Sequence, residues 1–401
     1  MVLSHRIQTL HGRVAPVLTF LTQSTWARRY GEAGIADFVV GNPHEMPLPG
    51  YVEALRRQIE PRSADWFAYK MSEPAAQQAV ATSLGDTFAA QDIILTTGAF
   101  AGLSVALKAL VDVGDEVIFI SPPWFFYETL IAAEGAVPIR VRVNQANFDL
   151  DLPAIEAAIT PRTRAIIVNS PNNPTGRIYP ASTLRALADV LERASARNGR
   201  PIYLLSDEAY RRIVYAGATF VSPSAFYPHT IVVYTYGKTL LTPGQRIGYL
   251  ALPRLMPGDE REQLRQALTL AQVVTGYAFP NALLQHALPD LEALSIDVQQ
   301  LQRKRDRLVS ALRDIGYSVH TPEATFYLLP EAPMADDLAF VETLTEHDVF
   351  VLPGTAVELP GYFRISLTAT EEMMDRALPG FAAAFNAARL SPARNGRIAG
   401  H

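Results

Sequence analysis

The chain contains no cysteine. That excludes a disulfide framework and any cysteine-ligated metal cage, and it agrees with a reducing cytoplasm. Its eight histidines are scattered without H-E-x-x-H spacing, so no metal site is expected. Apolar stretches of about 18 residues, the length a membrane-spanning helix requires, do not occur. The N-terminus has no apolar core of the kind a secretory signal carries. An excess of one charge is also lacking. Thirty-five Lys and Arg stand against 40 Asp and Glu, a net of −5, so neither nucleic acid nor an anionic membrane surface is favoured as a partner. No internal repeat is present.

What the chain does have is length and apolar content. With 401 residues and 49% hydrophobic composition, it can bury one large core or a large and a smaller one. Apolar runs at 93–96, 116–120, 137–143, 164–168, 201–205, 231–234 and 247–252 are expected strands. Helical patterns at 100–111, 124–134, 152–159 and 181–194 separate the earlier ones. This alternation implies an α/β fold: a mostly parallel sheet flanked by helices on both faces. The run 247–252 turns back and is expected to be the one antiparallel strand. Beyond it the chain becomes helical at 264–274 and again over 283–316, with an interruption near Pro289. Short apolar runs at 326–329, 350–352 and 363–367 then suggest a smaller α+β domain. The expected division is an N-terminal arm and part of the small domain over 1–45, a large domain over 46–285, a small domain over 286–390 and a loose tail over 391–401. The charge run 303–307 reads as a solvated helix face.

In a doubly wound sheet, ligands bind beyond the carboxyl ends of the strands. Those ends hold Thr97-Gly98-Ala99-Phe100, then Pro123-Trp124, then Asn172-Asn173-Pro174-Thr175-Gly176, then Asp207-Glu208-Ala209-Tyr210, and last Thr235-Tyr236-Gly237-Lys238 with Arg246 beyond. Each has an ordinary alternative. The Gly98 stretch could be a plain helix start, the Asn173 loop a turn, Asp207 a helix cap, Trp124 a core residue and Lys238 a surface lysine. Together they place an anion-binding helix start, a flat aromatic, a carboxylate, a lysine and an arginine on one rim. Buried flanks would lower the Lys238 pKa and make its amine available for Schiff-base formation. Pyridoxal 5′-phosphate is the cofactor that uses such a set: a lysine for its aldehyde, a carboxylate for its ring nitrogen, and backbone N–H groups with a guanidinium for its phosphate.

The motifs Asn172-Asn173-Pro174-Thr175-Gly176, Asp207-Glu208-Ala209-Tyr210, Lys238 with Arg246, and Phe363-Arg364-Ile365-Ser366-Leu367 resemble those of the class I/II aminotransferases of fold type I. The resemblance runs over almost the whole chain. It implies that Lys238 carries the cofactor as an imine and shuttles a proton, and that Asp207 pairs with the ring nitrogen. Asn173 and Tyr210 would bond the ring oxygen, and Trp124 would stack on the ring. Gly98, Ala99, Phe100, Thr235 and Arg246 would hold the phosphate, and Arg364 would grip the substrate carboxylate. Gly41 would belong to a loop over the substrate, near Asn173 and Trp124. Tyr69 would reach the neighbouring subunit's phosphate in a homodimer. The implied activity is amino transfer from an L-amino acid to a 2-oxo acid. A lyase, decarboxylase or oxidase on the same fold is the alternative, and a non-catalytic binding or regulatory module is a remoter one. Ala324-Thr325-Phe326-Tyr327 stands where relatives often carry Gly-Ala-Phe-Tyr. The loop residues His44 and Glu45 have no assigned role, and the donor side chain and the acceptor are not legible.

Overall fold

The computed structural model describes residues 3–390; the tail expected at 391–401 lies outside them. Two helices, α1 (His5–Gln23) and α2 (Thr25–Arg29), precede the short strand β1 (Ala36–Asp37), then α3 (Pro49–Ile59) and α4 (Pro74–Leu84). The regular alternation follows: β2 (Phe88–Thr96), α5 (Gly98–Leu110), β3 (Glu116–Ser121), α6 (Tyr127–Ala133), β4 (Val137–Arg142), α7 (Leu152–Ala158), β5 (Thr163–Asn169), α8 (Ala181–Asn198), β6 (Tyr203–Asp207), β7 (Thr230–Thr235), α9 (Tyr236–Thr239) and β8 (Gly248–Pro253). The C-terminal part holds α10 (Gly258–Val274), α11 (Ala282–Leu291), α12 (Val298–Ile315), β9 (Tyr327–Leu328), α13 (Asp337–Thr345), β10 (Val349–Phe350), β11 (Leu352–Pro353), β12 (Phe363–Ser366) and α14 (Glu371–Leu390).

Seven strands form the central sheet in the order β2-β8-β7-β6-β5-β3-β4. β8 runs antiparallel to both its neighbours, and the remaining pairings are parallel. The continuous apolar runs follow from this arrangement. Strands covered by helices on both faces need no polar face, and every residue of β3, β6, β7 and β8 is buried. One face packs on α5 and α10 through Leu103, Leu107, Leu264 and Leu268. A second core on the other face is built from Ile118, Ile166, Leu187 and Leu191. α8 presents Leu184, Leu187, Leu191 and Ala194 at helical spacing and ends on the left-handed Gly199. The smaller antiparallel sheet, β11-β12-β9, and the parallel pair β1-β10 stand apart from the large sheet. Ala36 and Phe38 from the N-terminal segment share one core with Phe326, Phe340, Phe363 and Phe381.

Four local expectations change. The helix expected from Trp124 begins only at Tyr127, because the Trp124 carbonyl closes a turn onto the Tyr127 N–H at 3.1 Å. β6 starts two residues late, since Pro201 has no N–H for the ladder, and extends to include Asp207. Pro289 lies within α11 and does not break it. The break comes at 292–297, where the Arg212 guanidinium takes the carbonyls of Glu292 and Leu294 at 2.8 and 2.9 Å. The charge run is only partly solvated. Lys304 and Arg305 are buried; Lys304 pairs with Glu45 at 2.6 Å, and Arg305 lies over the Tyr215 ring at 4.2 Å.

One close approach sets the geometry of the sheet rim. A Cβ on Gly248 would fall on the Tyr234 carbonyl oxygen and within 2.9 Å of Gly98 Cα. The side-chain-free position thus lets β8 lie against both β7 and the start of α5. Gly248→Ala is expected to lower the unfolding free energy by about 1–3 kcal/mol, the range typical of overpacking, and to fall toward its upper end because the groups it meets are backbone. Gly258→Ala, with nothing within 4 Å of the added carbon, should change it by less than about 1 kcal/mol. Urea titration of both variants checks this, and equal values would refute the packing argument.

Candidate active site

Lys238 is placed by a tight reversal between β7 and β8. Thr235 ends β7, and its hydroxyl oxygen accepts from the Gly237 N–H at 3.4 Å, capping the four-residue helix α9. A Cβ on Gly237 would come within 2.9 Å of Pro243 Cα, so the chain can fold back directly. Lys238 is therefore on a short helix rather than in an open turn. Its Nζ faces the rings of Phe326 and Tyr210 at 5.8 and 5.9 Å.

Asp207 ends the neighbouring strand and is buried. Its Oδ2 accepts from the Tyr127 hydroxyl at 2.6 Å and its Oδ1 from the Ala209 N–H at 3.2 Å. Burial raises its pKa; the two hydrogen bonds and the Lys238 charge oppose that rise. Asn169, at the end of β5, donates to the Asp207 carbonyl at 2.9 Å and accepts the Asn173 N–H at 2.8 Å. The two strand ends are thereby locked in register.

Two guanidinium groups flank this pair, and neither has a carboxylate partner. Arg246 has a left-handed backbone, with φ 48° and ψ 62°, and its Nη1 donates to the Pro243 carbonyl at 2.8 Å. Although the residue as a whole is exposed, burial on the guanidinium side lowers its pKa, and no neighbouring charge offsets this. It sits against the start of α5. Gly98 has φ +86°, and a Cβ there would meet Arg246 Nη2 at 2.7 Å. The free N–H groups of a 13-residue helix and an unpaired guanidinium thus converge on one spot, a site for an anion of high charge.

The second cation, Arg364, lies on β12 and is buried. Its Nη1 donates to Asn173 Oδ1 and its Nη2 to the Val39 carbonyl, both at 2.9 Å. The Nε is buried without a partner. The guanidinium lies 4.1 Å from the centre of the Tyr327 ring. The Tyr327 hydroxyl is 3.4 Å from that of Tyr210. Burial pushes the Tyr210 phenol well up. The Tyr327 phenol moves down: burial acts upward there too, but the Arg364 and Lys238 charges outweigh it.

A cavity of about 230 Å³ is lined by Lys238, Asp207, Tyr210, Asn173, Thr235, Arg246 and Arg364, and also by Gly41, Ala99, Phe100 and Trp124. Gly98 backs it through Arg246. A Cβ on Gly41 would meet the Tyr327 hydroxyl at 2.5 Å, so this loop approaches closely only as glycine. Tyr69 is not brought into this cavity; it is 87% exposed and packs on Phe279 at 4.8 Å. Glu45 points away from it, to Lys304, and His44 Nε2 is buried without a partner. Sequence reasoning gave no role to Tyr127, Asn169 or Tyr327. Tyr327 stood in the stretch Ala324-Thr325-Phe326-Tyr327; for the other two the signal was a polar atom inside an otherwise apolar or turn-forming run. Among the described residues no cluster of metal-ligating side chains occurs, and no helix is long and apolar enough to cross a membrane.

Pyridoxal 5′-phosphate fits this donor set. Its phosphate matches the Arg246 and α5 spot, where a Cβ on Gly98 would obstruct the guanidinium. Its ring nitrogen matches the buried Asp207, its aldehyde the amine of Lys238, and Arg364 is left free for a substrate carboxylate.

The family described as aminotransferase class I and II matches residues 34–381. A probable aspartate/prephenate aminotransferase of Thermus aquaticus is 32% identical over 89% of this chain and 93% of that protein. The aspartate/prephenate aminotransferase of Thermus thermophilus is 31% identical over 95% and 98%. Among solved structures, an amino transferase from Eubacterium rectale superposes with TM-score 0.88 at 31% identity, covering 96% of this chain and 99% of that one. The aspartate aminotransferase of Thermus thermophilus with maleate gives 0.78 at 30%, covering 96% and 100%.

Tyr127→Phe tests the role of the phenol at Asp207. The carboxylate is the form that pairs with a protonated ring nitrogen, and it is lost as pH falls through the Asp207 pKa. Removing a hydrogen bond that lowers this pKa moves the loss to higher pH. A hydrogen bond to a charged group is worth about 1.5–3 kcal/mol, so cofactor affinity should fall about 10-fold or more, and further at pH 6 than at pH 8. A variant that matches the parent at both pH values, in titrations of the apoprotein, would remove Tyr127 from the site.

Proposed function

The chain belongs to the aminotransferase class I and II family, and on that premise we propose that Lys238, Asp207, Arg246 and Arg364 are its working residues. The protein is a pyridoxal 5′-phosphate-dependent transaminase that exchanges an amino group between an amino acid and a 2-oxo acid. The observation that carries the residue assignment is the pair of guanidinium groups without carboxylate partners, on two sides of Lys238 and Asp207 in one cavity.

When bound, the cofactor supplies an aldehyde that condenses with amines and a ring that draws electrons from the adjoining carbon. The chain's residues do the rest. Arg246, Thr235 and the N–H groups of Gly98, Ala99 and Phe100 would hold the phosphate. Asp207, whose carboxylate accepts from the Tyr127 hydroxyl and the Ala209 N–H, would hold a proton on the ring nitrogen. Asn173 and Tyr210 would bond the ring oxygen, and Trp124 would stack on the ring. Arg364 binds the α-carboxylate of the donor with two N–H groups, which fixes the Cα. The Nζ of Lys238 takes the proton from that Cα and returns it when the acceptor is aminated.

The same reading makes the protein a homodimer. Phe67, Tyr69, Leu270, Val273, Tyr277 and Phe279 are exposed apolar side chains, and a second copy would cover them while Tyr69 reaches its phosphate. Amino acids and 2-oxo acids are metabolites of the cytoplasm, and we place the enzyme there. Aspartate, named for the Thermus proteins, carries a second carboxylate. Both cavity guanidinium groups are already committed here, so kinship alone does not assign the donor.

Lys238→Ala is expected to abolish the covalent, borohydride-reducible attachment of the cofactor, as seen by mass spectrometry of the reduced protein. A variant that still forms it would overturn the lysine assignment. Arg364→Ala should lower kcat/KM by about 100-fold or more for every donor, about 3 kcal/mol, because the substrate carboxylate loses its buried partner. The loss should lie mainly in KM, and an unchanged KM would sink this role.

A further inference from the structure

We propose that Tyr327 is a positioning residue for the cofactor: its hydroxyl donates to the oxygen of Tyr210 and so commits the single Tyr210 proton to the ring oxygen. This rests on the assignment of Lys238 to the cofactor aldehyde and of Tyr210 and Asn173 to the ring oxygen. The two tyrosines stand on different elements, Tyr210 in the loop after β6 and Tyr327 on β9. Their rings cross edge to face at 5.9 Å and 72°, and Phe326 packs against both, at 5.3 and 4.9 Å. Tyr210 is 3% and Tyr327 2% exposed. The contact is thus enclosed by one protomer and does not depend on what a second copy adds to the cavity.

The ring and the hydroxyl of Tyr327 have different neighbours. Arg364 lies over the ring at 4.1 Å, and a phenylalanine would offer that face as well. The hydroxyl is buried, and a buried hydroxyl is costly unless it is bonded. Among the described residues its partner is Tyr210, whose hydroxyl donates to it at 3.4 Å. That is long for an O–H···O bond. A phenol has one proton to give, and its oxygen can accept as well. When Tyr210 turns its proton to the ring oxygen, its own oxygen becomes an acceptor, and Tyr327 is the donor within reach. Asn173 is set in the same way. Its Oδ1 accepts from Arg364 Nη1 at 2.9 Å, which leaves its NH2 to donate. Each donor to the ring oxygen is therefore oriented by a residue behind it. The charged groups around the two phenols are Arg364, Lys238, with Nζ 5.9 Å from the Tyr210 ring, and Asp207. Burial acts upward on both phenols, but beside the Arg364 and Lys238 charges Tyr327 moves down. The better acid of the pair is the better donor, which favours Tyr327 donating to Tyr210 once the Tyr210 proton is engaged.

The test follows the absorbance of the cofactor bound to Lys238 in the holoenzyme as pH is varied. A hydrogen bond donated to the ring oxygen draws charge from it, so the Lys238 nitrogen beside it gives up its proton at lower pH. A second donor behind the first strengthens that bond. Tyr327→Phe keeps the ring over Arg364 and removes the hydroxyl, and it should raise the midpoint by about 0.3 units or more. Tyr210→Phe should raise the midpoint further, and adding Tyr327→Phe to it should move the midpoint no more. No shift in Tyr327→Phe, or a shift that adds to that of Tyr210→Phe, would overturn the proposal and leave the Tyr210 assignment standing. No shift in Tyr210→Phe, or no cofactor band at all, would overturn the assignments it rests on, and the proposal with them. The apoprotein gives a reading independent of the cofactor. The difference in tyrosinate absorbance between the parent and Tyr327→Phe should follow one phenol that titrates below the ordinary tyrosine range. Tyr210→Phe should move that phenol up, because it removes a hydrogen bond to the tyrosinate. A phenol that ignores Tyr210→Phe would mean that the two hydroxyls do not meet, which also overturns the proposal.

Discussion

The buried guanidinium of Arg364 ties the molecule together. From β12 of the small sheet it reaches Asn173 in the loop after β5 of the large sheet, and Val39 in the N-terminal segment. Three distant parts of the chain thus meet on one charge. Its partners are neutral amide and carbonyl oxygens, with an aromatic face 4.1 Å away. These satisfy geometry but not charge. A buried cation without a counterion is costly, and on the proposed reading the ligand would supply the counterion. The contact that assembles the site also leaves it poised for a carboxylate.

The charge balance of the cavity extends the same logic. Lys238, Arg246 and Arg364 stand against the single carboxylate of Asp207. A dianionic phosphate and a substrate carboxylate, with a proton on the ring nitrogen, would offset that excess. Ligands that bind only the folded state stabilise it by mass action, by about 2.7 kcal/mol at 100 times the dissociation constant. Two of the non-glycine residues with positive φ stand at or next to the cavity. Arg246 has φ 48° and Thr325 has φ 69°, conformations that cost a non-glycine residue of the order of 1–2 kcal/mol. Thr325 is held there by hydrogen bonds from its N–H to the Ile213 carbonyl and to its own carbonyl from the Tyr215 hydroxyl. The strained turn presents Phe326 and Tyr327 to Lys238 and Arg364.

What was legible in the sequence follows from these forces. The alternation of buried strands and helices fixes a sheet whose carboxyl ends lie on one rim, so Gly98, Asn173, Asp207 and Lys238 could be grouped without coordinates. The antiparallel return of β8 was legible too, because Arg246 is followed at once by a buried run. Tertiary hydrogen bonds were not. Tyr127 lies 80 residues from Asp207, and Lys304 lies 259 from Glu45. Local pattern carries no record of such pairs. The run 303–307 looked solvated because charge usually is. Lys304 escapes that rule by pairing with Glu45 and the Ala369 carbonyl, and Arg305 by its contact with Tyr215. The chain break was expected near Pro289, which lies inside α11; it comes at 292–297, where the Arg212 guanidinium binds the Glu292 and Leu294 carbonyls just past the helix end.

The loop that approaches the cavity shows how rigidity reaches the site. It is fixed at one end where Val39 accepts Arg364 and Phe38 packs in the small-sheet core. It is fixed at the other where Glu45 pairs with Lys304 of α12. Between them Gly41 passes so close to Tyr327 that a side chain there would displace its hydroxyl. Val40 and Asn42, the neighbours of Gly41, line the same cavity as Lys238, Asp207 and Arg364. A loop held at both ends fixes that part of the lining against the small sheet.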